Sequence, residues 1–268
     1  MDNVSIKFFY LESFMGRVIA IVSGKGGVGK TTLTANLGIM LAKSNKSVCL
    51  VDADLGLNNL DVALGLEERI SYDILDVLSG NCRINQGLIG DFMAGSLYLL
   101  ASKNKDAVKL ITKKDFNNLV LTLSRVFDFV LIDSPAGVDF GFERAVGPAG
   151  EIIIVVTPTK FSIKDAVACM KLIKSYETKR IGVVVNRYNA VLERKREVPN
   201  LMEIQEILNE DVIGVISENK WLCVGQNVKK IYDMEPKLVG EFVELEQNLK
   251  YGGNCFYNNK KRNAIRVP

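Results

Sequence analysis

Residues 24–31 read Gly24-Lys25-Gly26-Gly27-Val28-Gly29-Lys30-Thr31, an ungapped G-x-x-x-x-G-K-[ST] set between an apolar run and a helical pattern. That context dictates a strand-loop-helix unit. Val18-Ile19-Ala20-Ile21-Val22 is almost continuously apolar, as a strand covered on both faces must be. Residues 31–44 place Leu33, Leu37 and Leu41 on one stripe and read as a helix. The same alternation continues downstream. Strand-like runs occupy residues 48–51, 129–132, 152–156, 181–185 and 212–216, and helical patterns occupy 116–127, 163–175 and 201–208. The expected fold class is α/β: a P-loop NTPase with a doubly wound, mostly parallel sheet and helices on both faces. No linker or repeat interrupts it, so a single domain is expected over residues 15–251. A short extension (1–14) precedes it, and a polar, basic, flexible tail (252–268) follows.

The chemistry of the loop follows from its residue types. Glycines at 24, 26, 27 and 29 let the backbone turn until several N–H groups, including those of Lys25 and Val28, converge on one anion. The following helix adds the positive end of its dipole. Lys30 is then the ammonium for the β- and γ-phosphates, Thr31 the hydroxyl for Mg²⁺, and Thr32 a donor to the α-phosphate. The expected ligands are ATP and Mg²⁺.

Three carboxylates and one amide fall at the carboxyl ends of strand-like runs, where ligands of such sheets bind. Asp52 and Asp54 end the second run, two residues apart, and extended geometry points both to one side. Asp52 is placed near Mg²⁺ or Lys30, and Asp54 at the attacking water. Asp133 closes the run 129–132 as the acid that holds Mg²⁺ through water, and Ser134-Pro135-Ala136-Gly137 follows as a turn able to sense the γ-phosphate. Asn186 ends a later run, where its amide suits the edge of a purine. Lys30 and Asp54 are thus candidate catalytic groups, and Thr31, Asp52 and Asp133 the candidate metal ligands.

Composition excludes other chemistries. The 268 residues contain no histidine, which removes Ser-His and Cys-His catalysis and histidine metal sites. Cys49, Cys82, Cys169, Cys223 and Cys255 are scattered, odd in number and without zinc or redox spacing, so they read as reduced, mostly buried thiols in a cytosol-like compartment. A net charge of +3 is too mild to argue for nucleic acid by bulk attraction. No apolar run approaches the roughly 18 residues of a spanning helix, and residues 1–14 carry Asp2 and Glu12 where a signal peptide would not.

Taken together, these motifs resemble the MinD/ParA class of deviant Walker A ATPases, and within it the MinD branch of division-site ATPases. The likeness covers residues 15–216. It is carried by residues 23–32, by Asp52-Ala53-Asp54-Leu55-Gly56-Leu57-Asn58-Asn59-Leu60-Asp61, by Tyr72-Asp73-Ile74-Leu75-Asp76-Val77, by Ile132-Asp133-Ser134-Pro135-Ala136-Gly137 and by Asn186-Arg187-Tyr188-Asn189. The resemblance adds Lys25 as a third candidate catalytic group, the signature lysine that crosses to a partner's nucleotide in an ATP-dependent homodimer. It further implies binding to an anionic membrane surface and to a MinC-like division inhibitor, with hydrolysis stimulated by a MinE-like activator. The location implied is cytoplasmic and peripheral on the inner face of the cell membrane, or the stroma and inner envelope of a plastid. A ParA-like DNA-partition ATPase and a nucleotide-binding scaffold with little hydrolysis are the alternatives. Two departures stand out. Ser217-Glu218-Asn219 replaces the proline and acidic residues that border adenine in the family. The tail offers Lys260-Lys261-Arg262 with Phe256, Tyr257, Ile265 and Val267 in place of a regular amphipathic helix.

Overall fold

The computed structural model describes residues 15–55, 59–91, 95–103, 110–176, 179–219 and 235–253. The extension 1–14, the motif residues Gly56, Leu57 and Asn58, and the tail from residue 254 onward lie outside these. The elements run β1 (Arg17–Val22), α1 (Lys30–Lys43), β2 (Val48–Asp52), α2 (Leu60–Leu64), α3 (Ile74–Leu78), α4 (Ile84–Gly87), β3 (Leu88–Asp91) and β4 (Leu97–Leu100). They continue α5 (Lys113–Ser124), β5 (Phe129–Asp133), α6 (Phe140–Val146), β6 (Glu151–Val156), α7 (Lys160–Ile173), β7 (Arg180–Tyr188), α8 (Ala190–Arg194), α9 (Leu201–Leu208), β8 (Val212–Ser217) and α10 (Pro236–Tyr251).

One sheet joins the eight strands in the order β3-β4-β2-β5-β1-β6-β7-β8. Every pairing is parallel except β3 with β4. This is the α/β, mostly parallel sheet expected, with β1 near its centre. The pleat sorts the core into two layers. Val18, Ala20 and Val22 of β1 meet α5, α6, α7 and α9 through Phe116, Phe142, Ile163 and Ile204. Ile19 and Ile21 point the other way, toward α1, α2 and α10 through Leu33, Leu37, Leu60 and Phe242. Phe116, Phe142 and Phe242 are at most 1% exposed, and each such burial contributes roughly 1.5–3 kcal/mol.

The sequence predicts six strands and the sheet has eight. The two additions, β3 and β4, are four residues each, so they give a weak periodic signal. Helix starts also differ from expectation. α5 begins at Lys113, not 116, because the Thr112 hydroxyl accepts the Asp115 N–H at 3.1 Å. α7 begins at Lys160, not 163, because Thr159 accepts the Ser162 N–H at 3.3 Å. α10 was not anticipated, although Leu238, Phe242, Leu245 and Leu249 form a buried helical stripe behind Pro236 in the first turn. Of the cysteines, Cys49 and Cys169 are buried and Cys82 is half-buried, all as free thiols, while Cys223 and Cys255 lie outside the described residues.

Candidate nucleotide site

The loop between β1 and α1 is shaped by contacts that only glycine permits. A Cβ at Gly24 would lie 2.4 Å from the Asp165 carbonyl oxygen, so the loop passes directly against α7. Gly29 has φ +96°, and a Cβ there would lie 2.3 Å from Asn186 Nδ2. Helix α1 starts immediately afterwards with no side-chain cap on its first-turn amides. By contrast, Asp73, Thr112, Asp139, Thr159, Asn189 and Asn200 cap α3, α5, α6, α7, α8 and α9. An uncapped positive helix end behind a glycine loop is a cradle suited to phosphate.

Lys30 is 8% exposed, and its ammonium donates to the Ser23 hydroxyl at 3.0 Å. Burial pulls its pKa below the usual lysine value, while the nearby carboxylates of Asp133 and Asp54 oppose that pull. Thr31 donates to Asp133 Oδ2 at 2.6 Å, and Thr34 donates to Oδ1 at 3.2 Å. Burial raises the Asp133 carboxyl to about 6, although the Thr31 hydroxyl, Lys30 and Thr34 favour its ionised form. Lys30 and Asp133 are therefore neighbours of opposite charge whose shifts are both governed by burial.

Asp52 stands opposite Asp133 across the parallel β2–β5 pair. Burial, then repulsion from Asp133, holds its carboxyl well above the usual range, although the Asp54 N–H donates to it at 3.0 Å. Two buried carboxylates beside a threonine hydroxyl form a hard, oxygen-only set that a divalent cation would neutralise. Among the described residues no cluster of three or more His, Cys, Asp or Glu could hold a metal alone. The set would suit Mg²⁺, a hard cation that one or two protein carboxylates hold.

Most of the sequence-expected residues converge here. Lys30, Thr31, Asp52, Asp133 and Asn186 surround the loop, and half-buried Asp54 follows β2 close enough to act on Lys30. Thr32 is half-buried in the first turn of α1, and its carbonyl accepts the Asn36 amide at 2.9 Å. The turn after Asp133 leans on the loop: the Gly137 N–H donates to the Ser23 carbonyl at 3.1 Å. Lys25 is exposed, as are the adjacent Gly26 and Gly27 of the loop.

Asn186 has a more specific place than expected. Its amide donates to the Val28 carbonyl at 2.7 Å, and its Oδ1 accepts the Arg187 N–H at 2.9 Å. It therefore pins the phosphate loop, leaving its second amide hydrogen for a ligand. Sequence reasoning missed Ser23, which joins Lys30 to the Lys25 carbonyl at 2.7 Å, and Thr34, the second hydroxyl on Asp133. Thr34 was recoverable, since it lies three residues beyond Thr31 on the same helix face.

Known proteins resemble this chain over most of its length. The CobQ/CobB/MinD/ParA nucleotide binding domain family matches residues 19–226. The septum site-determining protein MinD of Thermotoga maritima is 37% identical over 249 residues, covering 87% of this chain and 92% of the relative. Among solved structures, the MinC:MinD cell division protein complex of Aquifex aeolicus matches with a TM-score of 0.81 at 39% identity, over 89% of this chain and 97% of that one. The septum site-determining protein MinD complexed with Mg-ADP from Pyrococcus horikoshii matches with a TM-score of 0.79 at 28% identity, over 88% and 97% of the two chains.

Proposed function

This chain belongs to the CobQ/CobB/MinD/ParA nucleotide-binding family, and from that premise we propose that it is a switch whose ATP-bound form pairs with a second copy. It is a Mg²⁺-dependent ATPase of the MinD type, serving placement of the division septum. The observation that carries this reading is the joint placement of Lys30, Thr31 and Asp133 at the uncapped end of α1. Loop amides and Lys30 hold the β- and γ-phosphates, while Thr31, Asp133 and Asp52 hold the metal side of the site. Mg²⁺, when bound, withdraws charge from the phosphate oxygens. Asp54, at the open end of β2, orients the attacking water. Rigid donors of this kind stabilise developing charge without reorganising. The intact set favours turnover over a nucleotide-binding scaffold.

Lys25 supplies the second half of the proposal. It is an exposed cation within the nucleotide cradle, and its assigned role, as the family resemblance implies, is to meet a phosphate held by a facing copy. Lys25→Ala is expected to leave Mg·ADP affinity within about twofold while losing ATP-driven dimers and at least about tenfold of stimulated turnover. Sedimentation with ATP against ADP reads the first effect and phosphate release the second. Unchanged dimerisation would remove Lys25 from this role.

The partners we assign are a MinC-like inhibitor, by likeness to the Aquifex complex, and a MinE-like activator. Among the described residues no helix is long and apolar enough to cross a membrane. We assign attachment to the basic tail beyond residue 253, on the charge of Lys260, Lys261 and Arg262, acting in pairs on anionic lipid. Co-sedimentation with anionic vesicles should be greater with ATP than with ADP, and should be lost in a chain ended at Gly253. Equal pelleting of the two chains would rule out the tail.

A further inference from the structure

The metal-side carboxylates lie on β2 and β5, to one side of β1. A nucleotide whose γ-phosphate points there extends its base the opposite way, over the ends of β7 and β8. A cavity of about 500 Å³ opens at that end, lined by Tyr188, Asn189, Ser217, Glu218 and Glu241 among others. Its size is within the range of small-ligand sites.

The wall of this cavity is built by a bulge and a clamp. Val185 faces Val215 and Tyr188 faces Ser217, which sets two residues of β7, Asn186 and Arg187, against Ile216 alone of β8, and Arg187 within the bulge has φ +55°. The bend allows Asn186 to reach the phosphate loop while Tyr188 and Asn189 line the cavity. Across the gap the Glu218 N–H donates to the Tyr188 carbonyl at 2.8 Å, and the Asn189 amide donates to Glu218 Oε2 at 3.1 Å. Beneath them, Ser217 donates twice to one carboxylate: its N–H to Glu241 Oε2 at 2.8 Å and its hydroxyl to Oε1 at 2.5 Å. A proline at this position, as in the family pattern, has neither donor. Charge-assisted, two-point capture of this kind is among the stronger hydrogen-bond arrangements.

We infer that Glu241, reaching from α10, is the positioning residue for the base-side wall of the nucleotide site. By holding both donors of Ser217 it fixes the end of β8, and with it Glu218, Asn189 and the cavity mouth. Helix α10 thereby contributes to retention of the nucleoside half of the ligand and leaves the phosphate half to the loop. This inference rests on the Mg·ATP reading of the same crevice.

Calorimetric titration of the full-length chain with Mg·ADP and with Mg·pyrophosphate separates the two halves. If loss of the clamp leaves the wall in its binding geometry about one-tenth of the time, Glu241→Ala weakens Mg·ADP about tenfold and leaves Mg·pyrophosphate within about twofold. Glu241→Gln retains one acceptor oxygen and falls between, and it carries the comparison if the alanine variant does not fold. Equal weakening of both ligands would show a merely structural role and overturn the inference, as would Mg·ADP affinity unchanged in both variants. Wild-type protein that takes up neither ligand would instead overturn the Mg·ATP reading, and this inference with it.

Discussion

Gly29→Ala is expected to abolish measurable Mg·ATP uptake, a loss of at least about 100-fold, and to destabilise the fold by roughly 2–4 kcal/mol. Two effects add. The native φ of +96° costs an L-residue side chain about 1–2 kcal/mol, and the new methyl would lie 2.3 Å from the Asn186 amide nitrogen. The amide can withdraw only by releasing the Val28 carbonyl, which reshapes the cradle. Asn186→Ala alone should cost about 1–3 kcal/mol, because that carbonyl loses its donor. In the double variant the clash has no partner, so the combined loss should fall short of the sum by at least about 0.5 kcal/mol. Urea unfolding of the four proteins supplies the cycle. Strict additivity would show that Gly29 and Asn186 do not meet.

Asp133→Asn should cut Mg²⁺-dependent turnover by at least about a hundredfold and yet raise the stability of the nucleotide-free protein at neutral pH. The native carboxyl titrates near 6, above its unfolded value of about 3.9. The folded state therefore holds the extra proton between those values, and stability falls as pH rises through this window. Fully ionised, the group costs roughly 3 kcal/mol relative to its unfolded form. The stability difference between Asp133→Asn and wild type should be small at about pH 4 and grow by roughly 2–3 kcal/mol toward pH 7.5. Mg·ADP uptake near pH 6 should also release protons from the wild type, because metal binding needs the ionised carboxylate. This release appears as a binding heat that depends on the buffer's ionisation enthalpy. A pH-independent stability difference would mean that Asp133 carries no burial cost.

The sequence made the phosphate end of the site readable because that end is local. Residues 23–34 follow one strand and open one helix, so motif and geometry are nearly the same statement. Asp52 and Asp133 were legible for a related reason: in a parallel sheet, strand ends gather on one edge. The base-side wall was not legible, because it depends on long-range pairings. The Ser217–Glu241 clamp spans 24 residues, and the Asn186–Val28 contact spans 158. Nothing in an Asn-Arg dipeptide signals that its amide will turn back to a loop near the amino terminus. β3 and β4 are too short to carry a periodic signal, whereas the apolar spacing of α10 is regular and readable.

The position of β1 also governs when the protein becomes competent during synthesis. The strand that launches the phosphate loop is flanked by β5 and β6, whose residues follow it by more than a hundred positions. A nascent chain halted at Ser124 would carry every loop glycine but neither flanking strand. Closure over such separations is slow and leaves strand edges bare meanwhile. Synthesis must therefore pass Val156 before the cradle is walled on both sides, and Asn186 before the loop is pinned, so competence arrives late and by way of intermediates with bare strand edges.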